Sequence, residues 1–568
     1  MRNALRDPDV AYRRRWITLL VLCISLIVIT LDNTILNVAL PTLAHRVDEG
    51  GLGASASQLQ WIVDAYVIVF AGLLLTAGSL GDRFGRYRAL AGGLAVFGVG
   101  SALSAVASSG NTLIAARSLM GIGGAFIMPS TLSIITNVFT DPAERGKAIG
   151  VWAGVSALGI GLGPITGGFL LSHFWWGSVF LVNIPIVVIG LVLGFLFVPE
   201  SRDPSKPRLD PVGALLSIVG LTAVLWSVIE APSHGWGSSS IIAGFIIGFA
   251  VLAAFFTWEL RSSHPMLDMH FFENPRFSAA SGAITLTFLA LFGTLFLLTQ
   301  YLQSVLDYST IKAGAVLLPQ AAVLMIFAPL SNVWVQRLGN KVVVTAGLLI
   351  VTTSLLMFNL LDASSPTLLV IGISMLLGLG MANILAPATD SIMGSLPRAK
   401  AGVGSAVNDT TRQVGGAIGV AVLGSLLASH FTSTMTSRLS KVIPPQLLSQ
   451  VTDNVGKAVG LAREAPQAKP FASQIVQAAN DSFVGGMHLA FTVAAGITLL
   501  AAISTAWFLP ARPLDTDASP VIEDNGLVTA GVNGSSADIG VTAGSNGSSV
   551  VTGSSDTGAP ADANAPVG

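Results

Sequence analysis

Apolar residues in this chain come in long blocks, broken by short polar stretches. Fourteen blocks stand out: about 16–40, 58–80, 88–107, 111–135, 147–172, 177–198, 211–230, 238–260, 277–303, 313–335, 341–361, 366–392, 404–431 and 485–509. About 20 apolar residues wound as a helix cross the roughly 30 Å hydrocarbon layer of a bilayer. The pattern therefore predicts an all-α integral membrane protein with 14 transmembrane helices. The first block is not expected to be a cleaved signal peptide, because it is too long and contains Asp32. Two segments break the pattern. Residues 432–484 are polar, contain Pro444–Pro445 and carry amphipathic stretches such as Gln446 to Val459, which predict short external helices near the lipid surface. The tail 511–568 is rich in Gly, Ser, Ala, Thr and Asp and repeats VTAGVNGSS (528–536) as VTAGSNGSS (541–549). Such a composition cannot bury enough surface to fold alone, so a disordered tail is expected. The sequons at Asn533 and Asn546 are read as chance, since a sequon needs a secreted loop.

Composition sharpens the picture. In 568 residues, 29 Lys plus Arg and 30 Asp plus Glu make up only 10%, against about 25% in soluble domains. A net charge of −1 gives no reason to expect a nucleic-acid partner. The single cysteine, Cys23, excludes intrachain disulfides and cysteine-built zinc or iron–sulfur centres. Seven dispersed histidines give no metal site, and no Walker loop or local Ser/His/Asp set is present. The basic residues also have a sidedness. With the N-terminus in the cytosol, 20 of the 29 Lys and Arg fall on cytosolic segments and 7 outside, 5 of those in 432–484. The positive-inside rule then places both termini, the basic segment 1–15 and the tail, in the cytosol.

The chain repeats itself. Gly146, Gly159 and Gly163 recur 256 residues later as Gly402, Gly415 and Gly419. Gly121-Ile-Gly123 recurs as Gly378-Leu-Gly380, and Arg83-Phe-Gly85 as Arg337-Leu-Gly339, at offsets of 257 and 254. The common offset spans eight blocks. That predicts a six-helix bundle (16–198), two inserted helices with their linkers (199–260) and a second six-helix bundle (261–510), in a parallel repeat with a substrate site near the midplane.

Several motifs stand out. The turn after the second block reads GSLGDRFGRYRAL, Gly78 to Leu90. Gly78, Gly81 and Gly85 permit a tight turn and close helix contact, and Asp82 can cluster with Arg83, Arg86 and Arg88 at the membrane face. The counterpart in the second half, VQRLGNK, has Gln336 in place of Asp82, so the acid is one-sided. The turn resembles the signature loop of the major facilitator superfamily, with Tyr87 departing from a common basic residue. LDNTILNVALP (31–41), LIAARSLMGIGGA (113–125) and GIGLGPITGG (159–168) resemble the first-, fourth- and fifth-helix motifs of its fourteen-helix drug/proton antiporters, the QacA/EmrB type. The resemblance covers roughly 16–510. It implies the major facilitator fold, a gate at Gly78, Asp82, Arg83, Gly85 and Arg86, and an exporter motif at Gly159, Gly163, Pro164, Gly167 and Gly168.

Ionisable residues inside a bilayer are costly and are functional hypotheses by default. At 1.5 Å per residue, Asp32, Asp64 and Arg117 all fall about 6 to 9 Å outward of the middle of their helices. Two carboxylates near one guanidinium suit proton coupling, because loss of the second proton is opposed by the first carboxylate. The residues alone also allow Asp32 and Arg117 to be a structural pair and Asp64 to be a hydrated outer acid. In the fifth block, glycines around Pro164 can let another helix approach closely or merely pack tightly. Asp409 and Arg412, three apart near the cytosolic end of the thirteenth helix, can pair and are expected to meet Asp82 when the gate closes. Gln320, Asn383, Phe288 and Phe292 are further cavity candidates.

The expected function is proton-driven export of amphipathic or cationic compounds from a bacterial cytosol. Its partners are a small-molecule substrate, protons and lipid, the proton gradient stands in for any cofactor, and the transport unit is a single chain. An exporter of one endogenous metabolite, siderophore or lipid is the alternative, and a non-transporting sensor or assembly factor the more distant one.

Overall fold

The computed structural model describes residues 8–44, 51–204, 209–452, 454–465 and 468–509. The tail, its repeat and both sequons lie outside them, as do residues 1–7 of the basic segment. Among the described residues there are 14 helices long and apolar enough to cross a membrane. They are α1 (Arg15–Ala44), α2 (Ala56–Phe84), α3 (Arg86–Ala105), α4 (Gly110–Val138), α5 (Pro142–His173), α6 (Asn183–Phe197, entered through a short turn at Ser178–Leu181), α7 (Pro211–His234), α8 (Ser239–Arg261), α9 (Pro275–Gln300), α10 (Thr310–Leu338), α11 (Asn340–Met357), α12 (Thr367–Gly394), α13 (Ala401–Leu439) and α14 (Ala472–Phe508).

Local chemistry sets many of the ends. Ser55 opens α2 with a capping box completed by Gln58, and Ser109 does the same for α4 with Thr112. Asp141 caps α5 just ahead of Pro142, where the missing proline N–H costs no helix bond. Between α2 and α3 a single residue, Gly85, turns the chain at φ +121°. L side chains avoid that region, so the turn demands glycine.

Two boundaries run past the apolar blocks. α13 continues to Leu439 and α14 starts at Ala472. These extensions are amphipathic, so hydropathy alone misses them. Phe431, Met435 and Leu439 fall one turn apart and are buried, as are Ile475, Ala479 and Phe483. Arg438 and Asp481 pair at 2.7 Å on the polar side. The rest of the 432–484 segment includes the two short helices Pro445–Val451 and Val455–Glu464.

The repeat is visible as matched packing. In the first half α1 packs on α5, α2 on α4, and α3 on α4 and α6; in the second half α9 packs on α13, α10 on α12, and α11 on α12 and α14. Individual contacts correspond too. Gly121 lies against the Tyr66 carbonyl and Gly378 against that of Gln320; Gly159 and Gly163 lie against Thr30 and Thr34, Gly415 and Gly419 against Thr285 and Leu289. The turn glycine Gly339 has φ +83°, matching Gly85. The bundles meet along two related seams, α5 with α10 and α2 with α13. The inserted pair α7–α8 breaks this symmetry, since α7 packs on both α2 and α13 and so covers only the second seam. Val224 and Val228 of α7 bury themselves against Ala421 there.

Candidate functional site

Asp32 and Arg117 form an ion pair inside the first bundle, with side chains 0% and 1% exposed. Every direction around this pair is filled. Arg117 Nη1 donates to Asp32 Oδ2, Arg117 Nε donates to the Ile62 carbonyl at 3.1 Å, and the guanidinium lies over the Tyr66 ring, 4.4 Å from its centroid. Asn183 Nδ2 donates to Asp32 Oδ1 at 3.1 Å and also to Ser101 Oγ at 3.0 Å. The pair is thus held by α1, α2, α3, α4 and α6. Sequence reasoning does not single out Tyr66, Ser101 or Asn183; a lone amide inside the sixth apolar block was the one available signal.

Asp64 does not join this group. It lies two residues before Tyr66, hence about 200° around a helix with 3.6 residues per turn, and faces the inserted helix. Gln60 bridges Asp64 to Glu230 of α7, with Nε2 3.2 Å from Glu230 Oε2. His234 Nδ1 is 3.1 Å from the same oxygen. The expected trio is therefore two separate sites, a closed pair within the bundle and an outer acid facing the insert.

The two bundles are joined directly at the end where Gly85 turns the chain from α2 into α3. Asp82 accepts hydrogen bonds from the amides of Gly402 (2.9 Å) and Val403 (3.1 Å), the first turn of α13 in the other bundle. A carboxylate there satisfies orphan helix N–H groups and sits at the positive end of the helix dipole. Arg86 binds Asp82 at 2.7 Å and donates to the carbonyls of Arg398 and Ala399, both at 2.9 Å. A Cβ on Gly78 would stand 2.5 Å from the Gly402 carbonyl oxygen, so glycine is what lets α2 and α13 touch. Gly85 brings Arg86 into place, whereas Arg83 stays half-buried beside the Phe84 ring. Gln336, the counterpart of Asp82, is exposed. Further bonds close the related seam: Arg145 to Asp390 at 2.8 Å, Asn332 to the Ala143 carbonyl at 2.7 Å, and Arg398 to the Thr140 carbonyl at 3.0 Å. Arg145 and Asp390 were absent from the sequence candidates, although Asp390 is an acid inside an apolar block.

Asp409 and Arg412 correct the sequence reading in two ways. They form no direct ion pair; Arg412 Nη2 donates to Thr389 Oγ1 at 2.9 Å, Thr389 Oγ1 donates to Asn408 Oδ1 at 3.1 Å, and Asn408 Nδ2 donates to Asp409 Oδ1 at 3.2 Å. Nor do they meet Asp82, which is met by amides seven and six residues before Asp409 on the same helix. Both are buried deeper along α13, where Arg412 spans to the first bundle through the Trp152 ring.

The fifth-helix motif has two faces. Gly159, Gly163 and Gly167 pack on α1 of their own bundle. Gly161, Pro164 and Gly168 meet Leu318, Gly314 and Ile311 of α10 across the seam, and Gly150 and Gly154 continue that face toward the start of α5, against Pro329 and Met325. Only part of the motif therefore faces the other half. Beside it lies an apolar cavity of about 60 Å³, lined among others by Ala157, Gly161, Pro164, Leu291 and Gln320.

Two six-helix halves related by an internal repeat and joined along two seams, with ion pairs buried among membrane-length helices, define a transporter-type membrane fold. A family model for the Major Facilitator Superfamily matches residues 22–420. The chain belongs to that superfamily of membrane transporters. It is similar to the multidrug efflux pump LfrA of Mycolicibacterium smegmatis, 38% identical over 86% of this chain and 95% of that protein. It is also similar to the methyl viologen resistance protein SmvA of Salmonella typhimurium, at 33% over 88% and 99%, and to the tetracenomycin C resistance and export protein of Streptomyces glaucescens, at 31% over 88% and 93%. Among solved structures, the human organic anion transporter MFSD10 shares the fold with a TM-score of 0.56 and 17% identity, over 87% of this chain and 99% of that one. The proton:xylose symporter XylE shares it with a TM-score of 0.56 and 14% identity, over 88% and 96%.

Proposed function

We propose that this protein exports amphipathic, cationic compounds across a bacterial plasma membrane in exchange for protons, with both termini in the cytosol and a single chain as the transport unit. The carrying observation is the buried Asp32–Arg117 pair. A proton on Asp32 removes one charge of a pair that low-dielectric surroundings hold tightly, so protonation from outside loosens the first bundle, and deprotonation toward the cytosol restores it. Asp82 and Arg86 hold the cytosolic side shut while the substrate leaves. The efflux and resistance names of the relatives support export, and methyl viologen in one name supports cationic substrates.

The test uses purified protein in proteoliposomes with an imposed pH gradient and ethidium as cargo. Wild type is expected to move ethidium against a proton flux. Asp32→Asn is expected to insert normally and lose gradient-driven transport; full transport by that variant would remove Asp32 from the mechanism. A second reading, export of one secreted metabolite, is supported by the tetracenomycin C exporter among the relatives. Comparing drug susceptibility with secreted metabolites in a deletion strain separates the two.

A further inference from the structure

Arg412 is a buried cation whose neighbouring charge, Asp409, is not in direct contact with it. Its Nε has no acceptor and its single side-chain hydrogen bond goes to a threonine hydroxyl. Instead the guanidinium lies between two aromatic rings, 4.8 Å from the Trp152 centroid and 5.1 Å from that of Phe288. Ring faces attract cations through their quadrupole, and most strongly where water is excluded. Trp152 is buried, and its indole N–H is spent on Thr131 Oγ1 at 3.1 Å, which fixes the ring plane. Phe288 stacks on Phe292, with centroids 5.8 Å apart. Close by, Asp409 Oδ2 is buried without a partner. The place is therefore built for a cation: two oriented rings and a carboxylate with a free oxygen.

The membership of the parts matters. Trp152 is on α5 of the first bundle, whereas Phe288 and Arg412 are on α9 and α13 of the second. Any separation of the two bundles would therefore leave Arg412 with Phe288 and part it from Trp152. Continuing outward along the same helices, α5 and α9 line the seam cavity through Ala157, Gly161, Leu291 and Leu295.

We propose that the Trp152 ring is a binding subsite for planar organic cations, and that Arg412 is a built-in competitor which occupies it whenever the cytosolic gate is closed. Substrate takes the ring in the cytosol-open state, with Asp409 as counter-ion. Closure returns Arg412 to the ring and pushes the cation toward the outer cavity. Release is then driven by an internal cation rather than by weak binding alone. The inference rests on the export of cations proposed above.

The experiment measures ethidium affinity in lipid nanodiscs and ethidium export in vesicles for wild type, Arg412→Met, Trp152→Leu and the double variant, all checked for monodispersity. Removing the competitor lifts the penalty of a binding site that is mostly occupied. Arg412→Met is expected to bind ethidium about tenfold more tightly and to export it more slowly. Trp152→Leu is expected to weaken binding, and the gain from Arg412→Met is expected to vanish in the Trp152→Leu background. Unchanged or weaker binding by Arg412→Met overturns the inference. So does a gain that persists without Trp152, because it would then be a general charge effect. Arg412→Lys, which keeps the charge, is expected to stay closer to wild type than Arg412→Met. Wild type that neither binds nor exports ethidium overturns the proposed function itself, whereas wild-type export with an Arg412→Met variant no tighter overturns only this inference.

Discussion

Arg117 performs three tasks that require a planar guanidinium: it pairs with Asp32, donates to a backbone carbonyl and covers the Tyr66 ring. An ammonium is a compact point charge and cannot reach all three. Arg117→Lys is accordingly expected to insert but to lose thermal stability and proton-coupled transport together, read by unfolding in detergent and by vesicle flux. Arg117→Ala is expected to be worse, since it strands a buried carboxylate; removing one partner of a buried pair costs about 3–5 kcal/mol, visible as loss of folded protein. At this scale the sequence was informative wherever a charge interrupted an apolar block, as at Asp32 and Arg117. It was silent about Asn183 and Tyr66, because a neutral side chain in an apolar block announces neither its partner nor its direction. Asp64 shows the same limit: depth along a helix can be counted from sequence, but the neighbour it faces depends on how the insert packs.

Among the elements, the turn from α2 to α3 depends on one backbone conformation. Gly85→Ala must place a Cβ at φ +121°, where the Glu200 carboxylate already stands 2.5 Å away. The expected outcome is displaced Arg86, a weakened latch and sharply reduced export with normal membrane levels, measured by transport and by cysteine accessibility at the cytosolic seam. Cys23 is the chain's single cysteine and is buried, so an introduced thiol would report with little background. At the other end of the bundles, Arg463 of the short helix Val455–Glu464 binds Asp307 at 3.0 Å and holds that carboxyl below its usual range. A depressed acid contributes above its unfolded pKa and loses that contribution as pH falls through its folded pKa. The ion pair itself is therefore expected to persist near neutrality and to be lost only below about pH 4, read by comparing the titration of the Asp307 carboxyl in wild type and Arg463→Ala. Hydropathy located every membrane helix, but the amphipathic ends of α13 and α14 escaped it because one face of each is polar.

For the whole molecule, the internal repeat legible in a few glycines corresponds to matched contacts throughout both halves, while the insert's choice of one seam was not legible at all. Spin labels at Thr140→Cys and Arg398→Cys, on opposite sides of the latched seam, are expected to report a short distance in wild type and a longer population in Asp82→Asn. An unaltered distribution would show that Asp82 does not hold the seam. The latch itself is chemically lopsided. The first bundle supplies side chains, Asp82 and Arg86, and the second answers with amides and carbonyls at residues 398–403. Backbone groups survive substitution of the residue that carries them. The latch contacts of the receiving segment are consequently indifferent to side-chain identity, except at Gly402, where any Cβ would strike the Asp82 carboxylate; Arg398, Ala401 and Val403 are constrained by other contacts. A saturation library of this protein selected for drug resistance would thus show narrow tolerance at Gly78, Asp82, Gly85 and Arg86 on one side of the latch and, on the other, a glycine requirement at Gly402 beside broader tolerance at Ala399, which contributes only its carbonyl.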